Sequence, residues 1–173
     1  MTGTHTARVA FTALAVTLAL VVQTTVFPHL LVNDVGPDLV LLVVVAAGLA
    51  RGSHFGMVIG FAAGLLVDLA PPSDHIAGRW ALALLLVGYI AGRVRPDALP
   101  TLPICMAAVA ACSFLGTSLF ALSGLVLADS SGSVPGLLEV VLTGVVWDVA
   151  VALLLVPLVL RALDRLEPDR LAV

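Results

Sequence analysis

The sequence contains no lysine: all eight of its basic residues are arginine. Charged residues of either sign make up only 11% of the 173 positions, well below the roughly one quarter usual in soluble domains. Aromatic residues are scarce, with one tyrosine and two tryptophans. Each shortage excludes something. A phosphate-cradling glycine loop normally needs a lysine. The arginines are scattered singly and the net charge is −3, which excludes the basic face wanted by nucleic acid. The two cysteines, Cys105 and Cys112, lie in an apolar run and suit buried helix positions, not a disulfide frame or a metal set. His5, His29, His54 and His75 are strewn along the chain and alternate between the two faces of the topology developed below, so no four-histidine metal centre is expected. No HExxH helix and no nucleophile elbow is present. Neither a catalytic centre nor a cofactor site is read from these residues.

What the sequence has instead is apolar length. Hydrophobic residues make up 61% of the chain and the mean hydropathy is +1.17. No soluble core could hide that much apolar surface, so the bilayer is the expected solvent. Six hydrophobic stretches are separated by short polar or proline-marked turns. They predict an all-α membrane protein of six transmembrane helices forming one domain, with spans at about 8–27, 38–50, 55–70, 79–92, 101–127 and 136–160. The first stretch lacks a signal-peptide cleavage pattern and is read as a retained helix. The second is short for a bilayer that needs about 20 apolar residues.

Arginine positions test this count. With the N-terminus in the cytoplasm, Arg8, Arg51, Arg93, Arg95, Arg161, Arg165 and Arg170 all fall inside, and only Arg79 falls outside. That asymmetry is what the positive-inside rule expects of a six-span chain with both termini cytoplasmic.

The third stretch carries Gly52, Gly56, Gly60 and Gly64 at a strict spacing of four, with Asp68 next in the series. Gly88 and Gly92 repeat the spacing on the fourth stretch. Four residues turn a helix by about 400°, so these glycines form a shallow winding groove. Glycines of this kind let another backbone come close. The groove serves either packing against neighbouring helices of the chain or docking of a partner's helix. In both cases bulk is expected to hurt more than polarity, with Gly60→Leu worse than Gly60→Ser.

Polar residues inside apolar helices demand partners. Asp148 lies near the middle of the sixth stretch, among enough Leu and Val to insert regardless. It is expected to face the bundle interior and find a donor, with Trp147, Thr143, Ser113, Thr117 and Ser118 in reach. A structural acid, a proton or substrate relay and a contact with a partner helix are the roles open to it. Gln23, Thr24, Thr25, Asp38, Asp68, Arg79 and Glu139 map to the outer ends of spans. Asp68 and Arg79 bracket one short turn and are expected to pair across it. Asp68 and Asp148 sit at different depths, which excludes an aspartyl dyad.

Three segments carry a family likeness: QTTVFPHL, GPDLVLLVVVAAGLARGSHFGMVIGFAAGLLVDL and AGRWALALLLVGYIAG. They resemble the MreD family of bacterial rod-shape-determining membrane proteins. The matching positions are Gln23, Thr24, Pro37, Asp38, Gly56, Gly60, Phe61, Gly64, Leu65, Asp68, Gly78, Gly88 and Tyr89. Asp148 has no counterpart in that pattern. The resemblance implies a non-enzymatic part of the cell-elongation machinery in the bacterial plasma membrane. Its partners would be MreC, MreB where present, and the RodA and penicillin-binding-protein synthases of peptidoglycan. The resemblance also implies a fold similar to the substrate-binding subunits of energy-coupling-factor vitamin transporters. A small-molecule uptake subunit is therefore the alternative function. The few aromatic residues offer little for stacking on a vitamin ring.

Overall fold

The structure, a computed structural model, describes residues 2–26, 35–71, 76–94, 100–127 and 134–165. His29, His75, Arg95 and Arg170, placed by topology above, lie outside the described residues. Among the described residues six helices follow in order: α1 (Thr2–Thr25), α2 (Leu39–Arg51), α3 (Ser53–Leu69), α4 (Arg79–Arg93), α5 (Leu102–Val126) and α6 (Val134–Arg165). They stand where the six apolar stretches predict them. Among the described residues, segments of three helices are by themselves long and apolar enough to cross a bilayer: Thr6–Thr25, Leu102–Val126 and Gly136–Arg165. α2 and α3 are shorter apolar helices.

The shortness of α2 has a structural reason. It packs against all five other helices, and Leu39 through Leu49 are buried without exception. A helix apolar all round belongs in an interior. At 1.5 Å per residue its 13 residues span about 20 Å, against a hydrocarbon core of about 30 Å. Protein rather than lipid surrounds it. Its ends can therefore lie at membrane depth, provided side chains satisfy the free backbone groups.

The outer surface is apolar in turn. Leu14 and Leu18 of α1, Phe61 and Leu69 of α3, Leu82 of α4, and Val146 and Leu154 of α6 are all exposed. Hydroxyls on these helices bond back to their own backbone. Thr17 donates to the Ala13 carbonyl, Thr24 to that of Leu20 and Thr117 to that of Ser113. Thr117, a candidate donor to Asp148, is thus directed elsewhere.

The turn expected over residues 51–54 reduces to a single residue. Gly52 closes α2 and opens α3 with φ 89° and ψ 178°, a region populated almost only by glycine. Gly52 is therefore the hinge between two helices, not the first member of a series lying on one. α6 also runs further than expected, through to Arg165, and carries Pro157 within it.

Candidate functional site

Apart from Thr12, which donates to the Arg8 carbonyl within α1, the buried polar groups gather at two helix N-termini. A helix begins with backbone N–H groups that have no intrahelical acceptor and carry the positive end of the helix dipole. At the start of α2 these donors lie inside the bundle, and the N-cap residue and two other helices supply acceptors. Asp38, the N-cap, accepts the N–H of Leu41 at 2.9 Å. Gln23 of α1 offers its side-chain carbonyl to the N–H of Val40 at 3.2 Å. Asp148 of α6 accepts the N–H of Asp38 itself at 2.6 Å. The other carboxylate oxygen of Asp148 accepts from the Ser113 hydroxyl of α5, also at 2.6 Å. Asp148 and Ser113 are fully buried.

The expectation that Asp148 faces inward is met, and Ser113 is the one of its five candidate donors that bonds it. Asp38, read from the sequence at the outer end of its span, caps α2 and lies beside Asp148 near the middle of α6. Gln23, Asp38 and Asp148, read separately from the sequence, form one cluster.

The N-terminus of α4 repeats the device. Asp68, near the end of α3, is buried. Its carboxylate accepts the backbone N–H groups of Gly78 at 2.8 Å, Trp80 at 3.1 Å and Ala81 at 3.0 Å. Arg79 reaches α5. It donates to the Phe120 carbonyl at 2.6 Å and to the Ser123 hydroxyl at 3.1 Å, and its guanidinium lies 4.0 Å above the Phe120 ring. Trp80 stacks on the same ring with centroids 4.5 Å apart. Both charges expected to pair across the turn thus also have partners beyond it. Amide donors at 2.8–3.1 Å hold the carboxylate, and an aromatic ring with a carbonyl holds the cation. At the far end of α2, Arg51 donates to the Leu163 carbonyl of α6 at 2.8 Å.

Between these termini α3 and α4 run in close contact along the glycines. A methyl group added at Gly60 would lie 2.7 Å from the carbonyl carbon of Leu84, and one at Gly64 2.6 Å from the amide nitrogen of Ala81. At Gly56 it would come within 2.9 Å of both the Gly88 carbonyl carbon and the Gly48 Cα. At Gly88 it would strike the Gly56 carbonyl, and at Gly92 the backbone of Gly52 and Ser53. The face built by Gly56, Gly60 and Gly64 is occupied by α4. No partner helix reaches these glycines while α4 is in place. Gly48 of α2 joins the same contact, 2.8 Å from the Gly88 carbonyl oxygen when given a Cβ. Sequence reasoning missed it, although it stands four residues before Gly52 and extends the series.

Among the described residues no group of three or more His, Cys, Asp or Glu side chains is placed to hold a metal ion. Cys105 and Cys112 are both buried and free.

The profile of the rod shape-determining protein MreD matches residues 5–165. The chain belongs to the MreD family. It is therefore a membrane protein of bacterial rod-shape determination. No curated protein and no solved structure matches the chain. The MreD match spans all six helices, including α6 with Asp148, which the motif resemblance did not reach.

Proposed function

We propose that the chain is a non-enzymatic membrane scaffold of the wall-elongation machinery. In this reading it crosses the plasma membrane six times, with both termini in the cytoplasm. It couples MreC to the RodA and penicillin-binding-protein synthases of peptidoglycan, and to MreB where that protein is present. Family membership supports the role, and the arginine asymmetry supports the topology.

One structural observation favours a scaffold over an uptake subunit. The carboxylates at these helix starts are committed to backbone amides: Asp148 to Asp38, Asp38 to Leu41, and Asp68 to the start of α4. A small-molecule site needs polar groups converging on a cavity. Here those groups fasten helix ends to neighbouring helices, which builds a rigid body. The likeness to energy-coupling-factor subunits is carried by the sequence resemblance alone. With the glycine face filled by α4, the partner's helix docks on the exposed apolar surface.

The test is affinity purification of the tagged full chain, with depletion in a rod-shaped host of the same family. MreC co-purifies and depleted cells become round. A tightly bound metabolite by mass spectrometry, with MreC absent and cell shape unchanged, would replace this reading with the uptake one.

A further inference from the structure

Between α5 and α6 lies a cleft of about 510 Å3 that the scaffold reading does not use. Leu102 and Cys105 of α5 line it, with Leu154, Pro157 and Leu158 of α6. The cleft opens on the outside of the bundle, where Leu102, Leu154 and Leu158 are exposed. In a membrane that side is hydrocarbon, so an acyl chain and not water is the natural filling. One end of the cleft is different. Arg161 and Asp164 are its charged lining residues, three residues apart on one face of α6.

These two charges stand out from the other polar groups. Arg51 and Arg79 each donate to a carbonyl of another helix. Among the described residues, neither Arg161 nor Asp164 has a hydrogen-bond or ion-pair partner. Their depth is also informative. The 32 residues of α6 measure about 48 Å at 1.5 Å each, more than the roughly 30 Å hydrocarbon core. Arg161 lies four residues from its C-terminal end, and so at headgroup level.

We infer that this cleft binds one phospholipid with a primary ammonium headgroup, of the phosphatidylethanolamine type. An acyl chain lies along Leu154 and Leu158, the phosphate sits on Arg161 and the ammonium on Asp164. An unoccupied cation and anion side by side match the two charges of such a headgroup in order. An anionic lipid with a glycerol headgroup satisfies Arg161 but offers Asp164 only neutral hydroxyls and no cation. A choline headgroup has no N–H to donate to Asp164. The inference needs α6 to cross the bilayer, but neither the direction of crossing nor the partners proposed above.

The experiment is native mass spectrometry of the full chain in mild detergent, offered equimolar phosphatidylethanolamine and phosphatidylglycerol. The wild type should retain one lipid, with phosphatidylethanolamine favoured roughly threefold to fivefold, the size of a partly exposed ion pair. Asp164→Asn should keep the lipid and bring that ratio near one. Arg161→Gln should lose most retained phospholipid of both kinds. Leu154→Trp, which fills the cleft and keeps both charges, should also reduce retention. All three positions lie at the surface or the cleft rim, and an unchanged melting temperature confirms folding. Equal retention of the two lipids by the wild type, or a ratio unmoved by Asp164→Asn, would overturn the site in favour of non-selective annular lipid.

Discussion

The carboxylate of Asp148 accepts the main-chain N–H of Asp38 at 2.6 Å, across 110 positions of sequence. The bond ties the middle of α6 to the buried start of α2. It also supplies an acceptor where a helix buried among five others begins. An unsatisfied N–H there would have no water to turn to. Asp148 supplies the acceptor, and its second oxygen is held by Ser113.

The first prediction concerns that carboxylate. Asp148→Ala strands the Asp38 N–H and the Ser113 hydroxyl together, a loss on the order of 3 kcal/mol for two buried groups. Asp148→Asn keeps a carbonyl for the amide and an NH2 that can face the Ser113 oxygen, so it should be clearly milder. Accumulation in membranes and the melting temperature in detergent report both. An Asn variant as damaged as the Ala variant would show that the acid serves something other than this bond.

The second prediction separates capping from ion pairing at the start of α4. Three amide donors converge on Asp68, so Asp68→Ala should cost about 1–2 kcal/mol as a lost cap. Asp68→Arg combined with Arg79→Asp restores the charges but places no acceptor at those amides. The double swap should recover nothing over the worse single variant. Recovery of most of the protein level on swapping would mean that the charge pair dominates.

How far the sequence reaches is clearest at these residues. Helix number and order follow from apolar runs and punctuating prolines, which local composition encodes directly. The inward aim of Asp148 follows from the cost of an acid in lipid, and Ser113 was within reach. Its main-chain donor was not legible. That donor depends on the depth at which α2 begins, a property of how six helices pack. The short apolar length of α2 was the available signal. The glycine spacing identified a close-contact face but hid the reversal at Gly52, because a spacing of four runs unbroken through the hinge. Asp68 and Arg79 read as a pair because opposite charges bracket a turn, and that reading reached only part of their surroundings. Sequence does not display the amide donors of a helix N-terminus or the ring of Phe120, 41 residues on.

The third prediction grades the glycines by what an added methyl group meets. Gly144→Ala meets only the Val35 side chain at 3.9 Å and should be neutral. Gly116→Ala meets the side-chain ends of Leu41 at 3.0 Å and Val87 at 3.1 Å, which can give slightly, so a loss of about 1 kcal/mol is expected. Gly60→Ala meets main chain on α4 and should cost about 3 kcal/mol, because backbones cannot repack as side chains do. Gly60→Ser then gains nothing from its hydroxyl and should be as harmful as Ala. Thermal melting of the four variants in one detergent gives the order. A Gly60→Ser protein as stable as wild type would show that α3 and α4 stand further apart than the structure has them.

The fourth prediction turns on the difference between arginine and lysine at position 79. The Arg79 guanidinium lies over the Phe120 ring while two of its nitrogens reach the Phe120 carbonyl and the Ser123 hydroxyl. That combination needs a planar fork that stacks and donates in two directions at once. Lysine keeps the charge but concentrates it on one ammonium, which can stack or reach the carbonyl but not hold all three contacts. Arg79→Lys should therefore lose about 1–2 kcal/mol, close to the loss from Phe120→Leu. Because both substitutions break one contact, the double variant should cost much less than the sum. Additive losses would place the value of Arg79 in its charge alone and remove α5 from the clamp that holds α4.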